Sequence, residues 1–377
     1  MSSKLLASLK LAQLKHAAFL TGLPSAGTKA DIIAVLESNF STRTPVQTST
    51  RIVSVDMGIR NLAYCVLDVP HPPSSHASST KPSPLKVLEW RRIDLLHPPT
   101  SPHTPPVPTA TQPQSPQPKS QSRAPAIPPS AFTPSHLSRT ALALSRTLLS
   151  HSPTTILIER QRFRSGGGPA IQEWTVRVNM LEAMLWACLA TLREMSSLGR
   201  KGAEAEAEAG AEMAGEVGGF PAVFEVLPAR VAGFWVGDPD LDLRLTAETF
   251  TSPNPEARRV DSGASAVAGL ISSPSGRKRV QKKDKVAVVR GWLDGEENPD
   301  VPLAFSGEAA RIAKAFTAPS SRSSSSRGTT KEGAVEGEGE SEERMGKRDD
   351  LADCLLQAVA WVRWEENREI LARLLRS

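Results

Sequence analysis

The chain has one tyrosine and only 5% aromatic residues in 377. Tyrosine chemistry therefore has a single candidate, Tyr64, which falls mid-strand and reads as core. The three cysteines, Cys65, Cys188 and Cys354, are far apart and odd in number. Their spacing excludes a thiolate zinc site and a disulfide framework, and makes a reducing interior the default. Long apolar runs are missing too. The most apolar helical stretch, Met180 to Leu192, is interrupted by Glu182 and is too short to cross a bilayer, so a soluble protein with no membrane partner is expected. Acids are absent before Asp31, where Lys4, Lys10, Lys15 and Lys29 stand alone. That is the pattern of a mitochondrial presequence, except that arginine is absent and the segment reads as structured.

Proline (31) and glycine (25) are plentiful, and they gather in low-complexity stretches at about 70–84, 97–130, 200–219, 238–278 and 317–346. Such stretches cannot bury enough apolar surface to fold alone and read as inserts. His71, His76, His97 and His103 fall in or beside them and read as solvated loop histidines. The net charge is +5 and the pI about 9.2, and basic residues cluster in Arg160-x-Arg162-x-Arg164. That suits an anionic partner.

Between the inserts the hydrophobic period alternates between strand and helix. Strands are expected at 51–69 (two, joined by a turn at Gly58), 85–93, 155–159 and 222–226. Helices are expected at 135–149, from the Gly166-Gly167-Gly168-Pro169 run to about Met195, from Pro228, at 282–293 and at 349–375. Lys201 to Gly219 either extends the long helix or is an exposed insert. The order predicts an α/β fold with a mixed five-stranded sheet flanked by helices. Residues 4–40 read as a separate helical hairpin, broken at Gly22-Leu23-Pro24 and restarted by Thr28 with Asp31.

Acidic residues stand in three telling places. Asp56 ends Ile52-Val53-Ser54-Val55-Asp56-Met57-Gly58, Glu159 ends Ile156-Leu157-Ile158-Glu159, and Asp349, Asp350 and Asp353 open the last helix. A carboxylate where an apolar strand stops is costly unless a cation meets it, and hard divalent ions prefer oxygen ligands. Asp350 and Asp353 share a helix face, as do Asp349 and Asp353; Asp350 is the expected ligand, with Asp349 the alternative. Each acid also has a plainer role. Asp56 suits a turn, Glu159 can pair with Arg160 or Arg162, and Asp349 and Asp350 suit a helix N-terminus. The three sites together favour one metal pocket.

Three motifs carry a family likeness. They are Ser54-Val55-Asp56-Met57-Gly58-Ile59-Arg60-Asn61-Leu62, Ile158-Glu159-Arg160-Gln161-Arg162-Phe163-Arg164-Ser165-Gly166, and Lys347-Arg348-Asp349-Asp350-Leu351-Ala352-Asp353. With Glu173-Trp174-x-x-Arg177-Val178-x-Met180-Leu181-Glu182, they resemble the fungal mitochondrial Holliday-junction resolvases, of the RuvC-like branch of the ribonuclease H-like fold. Leu11-x-x-Leu14-Lys15 through Ile32-Ile33-x-x-Leu36 resembles the SAP motif, a DNA-binding hairpin. The likeness implies a SAP-like module at 1–44 that overlaps any targeting sequence, and a nuclease domain at 50–377. It implies a homodimer in the mitochondrial matrix that binds four-way DNA junctions and nicks two opposed strands, with two magnesium ions (manganese substituting) and no small-molecule cofactor. Carried over, Asp56, Glu159, Asp350 and Asp353 are the metal ligands and Lys283 lies near the scissile phosphate. Lys15, Lys29, Arg60, Gln161, Arg162, Arg164, Lys282 and Lys283 contact DNA. Three other readings stay open: a non-catalytic SAP-type DNA-binding protein, a sugar-kinase or actin-like ATPase using Gly166-Gly167-Gly168 as its phosphate loop, and a ribonuclease acting on RNA–DNA hybrids at the same metal site.

Overall fold

The structure is a computed structural model that describes residues 2–41, 50–70, 83–96, 129–161, 173–208, 219–237, 243–246, 280–295, 302–318 and 348–376. At its centre is a mixed six-stranded sheet in the order β5-β4-β1-β2-β3-β6. The strands are β1 (Thr50–Asp56), β2 (Leu62–Val69), β3 (Leu85–Ile93), β4 (Thr155–Glu159), β5 (Ala222–Val226) and β6 (Leu303–Phe305). β1, β2 and β3 form an antiparallel meander, while β4 runs parallel to β1 and β5 parallel to β4. β6 is one strand more than the sequence predicts. It pairs parallel to β3 over three residues, Leu-Ala-Phe, too short for any alternation to register.

Strand residues alternate between two cores. Val53, Val55, Tyr64, Val66, Ile156 and Ile158 face helices α4 (Pro134–Ser150) and α5 (Glu173–Glu208). On α5, Val178, Leu181, Leu185 and Leu189 recur at helical spacing and are buried. The helical backbone of α5 continues to Glu208, so the Ala/Glu-rich run begins as helix. α4 starts at Thr133, whose side chain accepts from the His136 backbone N–H, and Pro134 suits the first helical position.

The opposite face carries Ile52, Ala63, Cys65, Leu67, Trp90 and Leu157. It is covered by α6 (Pro228–Val236), α7 (Lys282–Asp294), α8 (Gly307–Thr317) and the 29-residue α9 (Arg348–Arg376). α9 is buried almost all round from Leu351 to Trp364, as befits a helix threaded through the core. Three contacts fix its phase. Gln357 Nε2 donates to Ser54 Oγ at 3.0 Å, Cys65 Sγ donates to the Cys354 carbonyl at 3.3 Å, and Trp90 Nε1 donates to the Leu351 carbonyl at 2.9 Å.

The N-terminal segment folds as three helices, α1 (Ser2–Ser8), α2 (Leu11–Leu20) and α3 (Lys29–Ser41), where the sequence suggests two. Leu6, Leu14, Leu20, Ile32 and Leu36 join the same core as α9. Asn367 Nδ2 donates to the Leu20 carbonyl and Arg368 Nε to the Thr21 carbonyl, both at 2.8 Å. Gly22 sits at φ +68°, and a Cβ there would lie 2.3 Å from the Trp364 ring. The module is thus seated on the far end of α9. No helix among the described residues is long and apolar enough to cross a membrane.

Candidate metal centre

β1 and β4 are parallel neighbours in register Val55 with Ile158, so their last residues, Asp56 and Glu159, lie side by side. Both belong to the pleat that faces α9, two residues beyond Ser54 and Leu157. α9 brings Asp353 down onto them, one turn before the Gln357–Ser54 contact. One oxygen from each of Asp56, Glu159 and Asp353 lies within 4.8 Å of the others. An all-oxygen set of that span suits hard divalent ions, including a pair about 4 Å apart. The tight turn after Asp56 depends on Gly58, since a Cβ there would lie 2.9 Å from the Asn61 carbonyl oxygen.

Charge in this pocket is under-neutralised. Burial first, then repulsion from Glu159, Asp353 and Asp350, raises Asp56 well above the carboxylate range. Glu159 is pushed up to about 7 by burial and by Asp353. A hydrogen bond joins the two carboxyls, and they titrate as a pair held above the ordinary carboxylate range. Burial also raises Asp353, partly offset by Lys285. Carboxyls that hold protons only because they are buried together are a natural receptor for cations.

Two ammonium groups already approach the site. Lys282 and Lys285, three apart on α7, form ion pairs with Asp349 and Asp353 respectively. Burial alone would raise Asp349, but the Lys282 hydrogen bond holds it below the usual range. The tight set holds neither Asp349 nor Asp350; Asp350 acts on Asp56 and Glu159 through space, raising both.

The other sequence candidates are spread more widely. Lys283 is on the exposed side of α7, and Lys285 is the lysine that reaches Asp353 of the tight set. Gln161 leaves β4 half-buried, its backbone N–H donating to Glu182 on α5 at 3.2 Å. Arg160 pairs with Glu225 on β5 at 3.3 Å rather than with Glu159. Arg60 is exposed in the β1–β2 turn, Lys15 is half-buried on α2, and Lys29 Nζ donates to the Ala7 carbonyl within the N-terminal module. Arg162, Arg164, the Gly166–Gly168 run and the loop histidines lie outside the described residues, as do most of the low-complexity stretches. Sequence reasoning gave no role to Lys285, Glu182 or Gln357. For Lys285 a signal existed, because 282 and 285 share a helix face whereas 282 and 283 do not.

A family model described as mitochondrial resolvase Ydc2 / RNA splicing MRS1 matches residues 52–371, all but the N-terminal module and the last few residues. The chain belongs to this family. The chain is 30% identical over 183 residues to "Cruciform cutting endonuclease 1, mitochondrial" of Schizosaccharomyces pombe. That alignment covers 48% of this chain and 56% of the relative. The chain is also similar to the solved RuvC of Thermus thermophilus, at 13% identity with a TM-score of 0.28 over 71% of this chain and 90% of that one, too loose a likeness to bear on function. The Ydc2/MRS1 match encloses all three carboxylates of the tight set.

Proposed function

We propose that this chain is a metal-dependent endodeoxyribonuclease that resolves four-way DNA junctions by paired, symmetric nicks. The observation that carries the reading is the convergence of Asp56, Glu159 and Asp353 from three distant stretches onto one pocket. The family description names both resolvases and RNA splicing; a carboxylate pocket suited to hard divalent ions is a known way to cut a phosphodiester, and RNA binding alone does not call for one. Asp56, Glu159 and Asp353, with Asp350 at the margin, would hold the ions. Magnesium or manganese held there would activate water for attack and offset charge on the departing oxygen.

The protein's own groups do the rest. Asp56 is fixed by its buried strand, Glu159 by the neighbouring strand, and Asp353 by a helix locked in phase by Gln357. Each arrives with little freedom left to lose on binding. Lys282 and Lys285 serve as counter-charges to Asp349 and Asp353, and are free to turn to phosphate once ions take over. On this reading Lys283, Arg60, Gln161, Arg162 and Arg164 contact the DNA backbone, and Lys15 and Lys29 supply the SAP-like contribution. Affinity on this reading comes from phosphate contacts and falls steeply with salt, while junction shape selects the substrate. The reading includes a homodimer, one centre per opposed strand, acting in the mitochondrial matrix and leaving 5′-phosphate and 3′-hydroxyl ends. The test is a synthetic mobile junction with magnesium, read on a denaturing gel. Symmetric nicks in opposed strands support it; no cleavage of any branched DNA, with splicing RNA bound instead, overturns it.

A further inference from the structure

The sheet register points to a substrate-contacting residue outside the carboxylate set. Asp56 on β1 pairs with Ala63 on β2, and Ala63 pairs with Arg92 on β3. Residues directly opposite one another on paired strands project from the same face. Asp56, Ala63 and Arg92 thus form one row on the α9 side, with the Asp56 and Arg92 Cα atoms roughly 10 Å apart across two strand spacings. The row below it is Ser54, Cys65 and Trp90, and α9 crosses that row at Gln357, Cys354 and Leu351 in turn. Each strand crossed costs α9 three residues. In the upper row Asp353 lies at Asp56, and the described part of α9 begins at Arg348, five residues earlier. Arg92 therefore stands at the β3 side of the carboxylate row, beyond the described residues of α9. It is half-buried, and its Nη1 donates to Asn61 Oδ1 at 3.4 Å, a long bond. The carbonyl of Asn61 is the atom that closes the Gly58 turn behind Asp56, so the guanidinium is tethered to the same turn that presents the metal ligand.

We propose that Arg92 grips a phosphate of the strand entering the metal centre, either the scissile phosphate or its immediate neighbour. The inference rests on the nuclease reading of the carboxylate pocket. A pocket of acids repels DNA until a cation at its rim meets the backbone, and a guanidinium fork matches two phosphate oxygens at once, which a lysine cannot. Asn61 ties the fork to the turn that carries Asp56.

The full-length chain, Arg92→Ala and Arg92→Lys are compared on junctions carrying a single neutral methylphosphonate at each position around the nick. Junction binding is measured in EDTA and cleavage in magnesium. Arg92→Ala is expected to weaken binding about tenfold and to lower the salt slope by about one; Arg92→Lys is expected to keep the slope and lose most of the cleavage rate. On the junction neutralised at the phosphate that Arg92 holds, wild type and Arg92→Ala become equal. A loss of the same size on every methylphosphonate junction, or an unchanged salt slope, overturns the proposal, and Arg92→Lys decides the matter if the alanine variant fails to fold. A wild-type chain that cuts junctions while Arg92→Ala behaves identically sinks Arg92 alone. A wild-type chain that neither cuts nor binds sinks the nuclease reading with it.

Discussion

Glu159→Gln is the substitution on which the electrostatics of the pocket make their sharpest demand. A carboxyl lifted from 4.5 to about 7 costs the folded state about 3 kcal/mol at pH 8, because giving up its proton is uphill in the buried pocket and carries no such penalty in the unfolded chain. Glutamine keeps the shape and the hydrogen bond to Asp56 but removes the charge. In EDTA at pH 8 the variant is therefore expected to melt higher than wild type, by roughly 5–10 °C for a folded body of this size. The sign follows from linkage. A raised carboxyl destabilises the fold only above its unfolded pKa, so the advantage is absent at pH 4, grows between pH 4.5 and 7, and levels off beyond. Magnesium should reverse the order, since ions that bind the folded state stabilise it, by about 2.7 kcal/mol at a hundredfold excess over Kd, and the variant has lost a ligand. Melting curves from pH 4 to 8, with and without magnesium, check all three features. A variant that melts lower than wild type in EDTA at pH 8, or by an amount independent of pH, would refute the reasoning.

Asp56→Asn is expected to bind junctions with near wild-type affinity and to lose cleavage by several orders of magnitude, seen by pairing gel-shift with denaturing gels. Lys285→Met strips Asp353 of its counter-charge and is expected to cost about 1–3 kcal/mol in EDTA. Lys283→Ala, on the exposed side of the same helix, should stay within about 0.5 kcal/mol; urea titrations of the pair compare them. Gly22→Ala forces a Cβ against Trp364 from a left-handed backbone and is expected to cost about 3 kcal/mol. Limited proteolysis should then release the N-terminal helices first.

Much of this architecture was legible in the sequence because each strand carries its own signal. Asp56 and Glu159 stood out as charges ending apolar runs, and the structure sets them side by side because β1 and β4 are parallel neighbours. The roles of Asp349, Asp350 and Lys285 were not legible, because the rotational phase of α9 and α7 is set by tertiary contacts. Gln357 meeting Ser54 and Trp90 meeting Leu351 turn Asp353 to the strands and leave Asp349 to Lys282. β6 escaped because three residues show no period, and its pairing with β3 depends on a long connection. Arg92 escaped for a related reason. Nothing in Glu89-Trp90-Arg91-Arg92 says which arginine shares a row with Asp56 until the strand register is known.

Manganese binding to the full chain, followed by electron paramagnetic resonance in wild type, Asp56→Asn, Glu159→Gln and Asp353→Asn, goes most directly to the heart of the matter. Tight binding to wild type that weakens by at least tenfold in every one of the three variants is the expected result, because each carboxylate reaches the same ions. Binding that survives unchanged in any two of them would mean that these acids do not hold a shared metal centre.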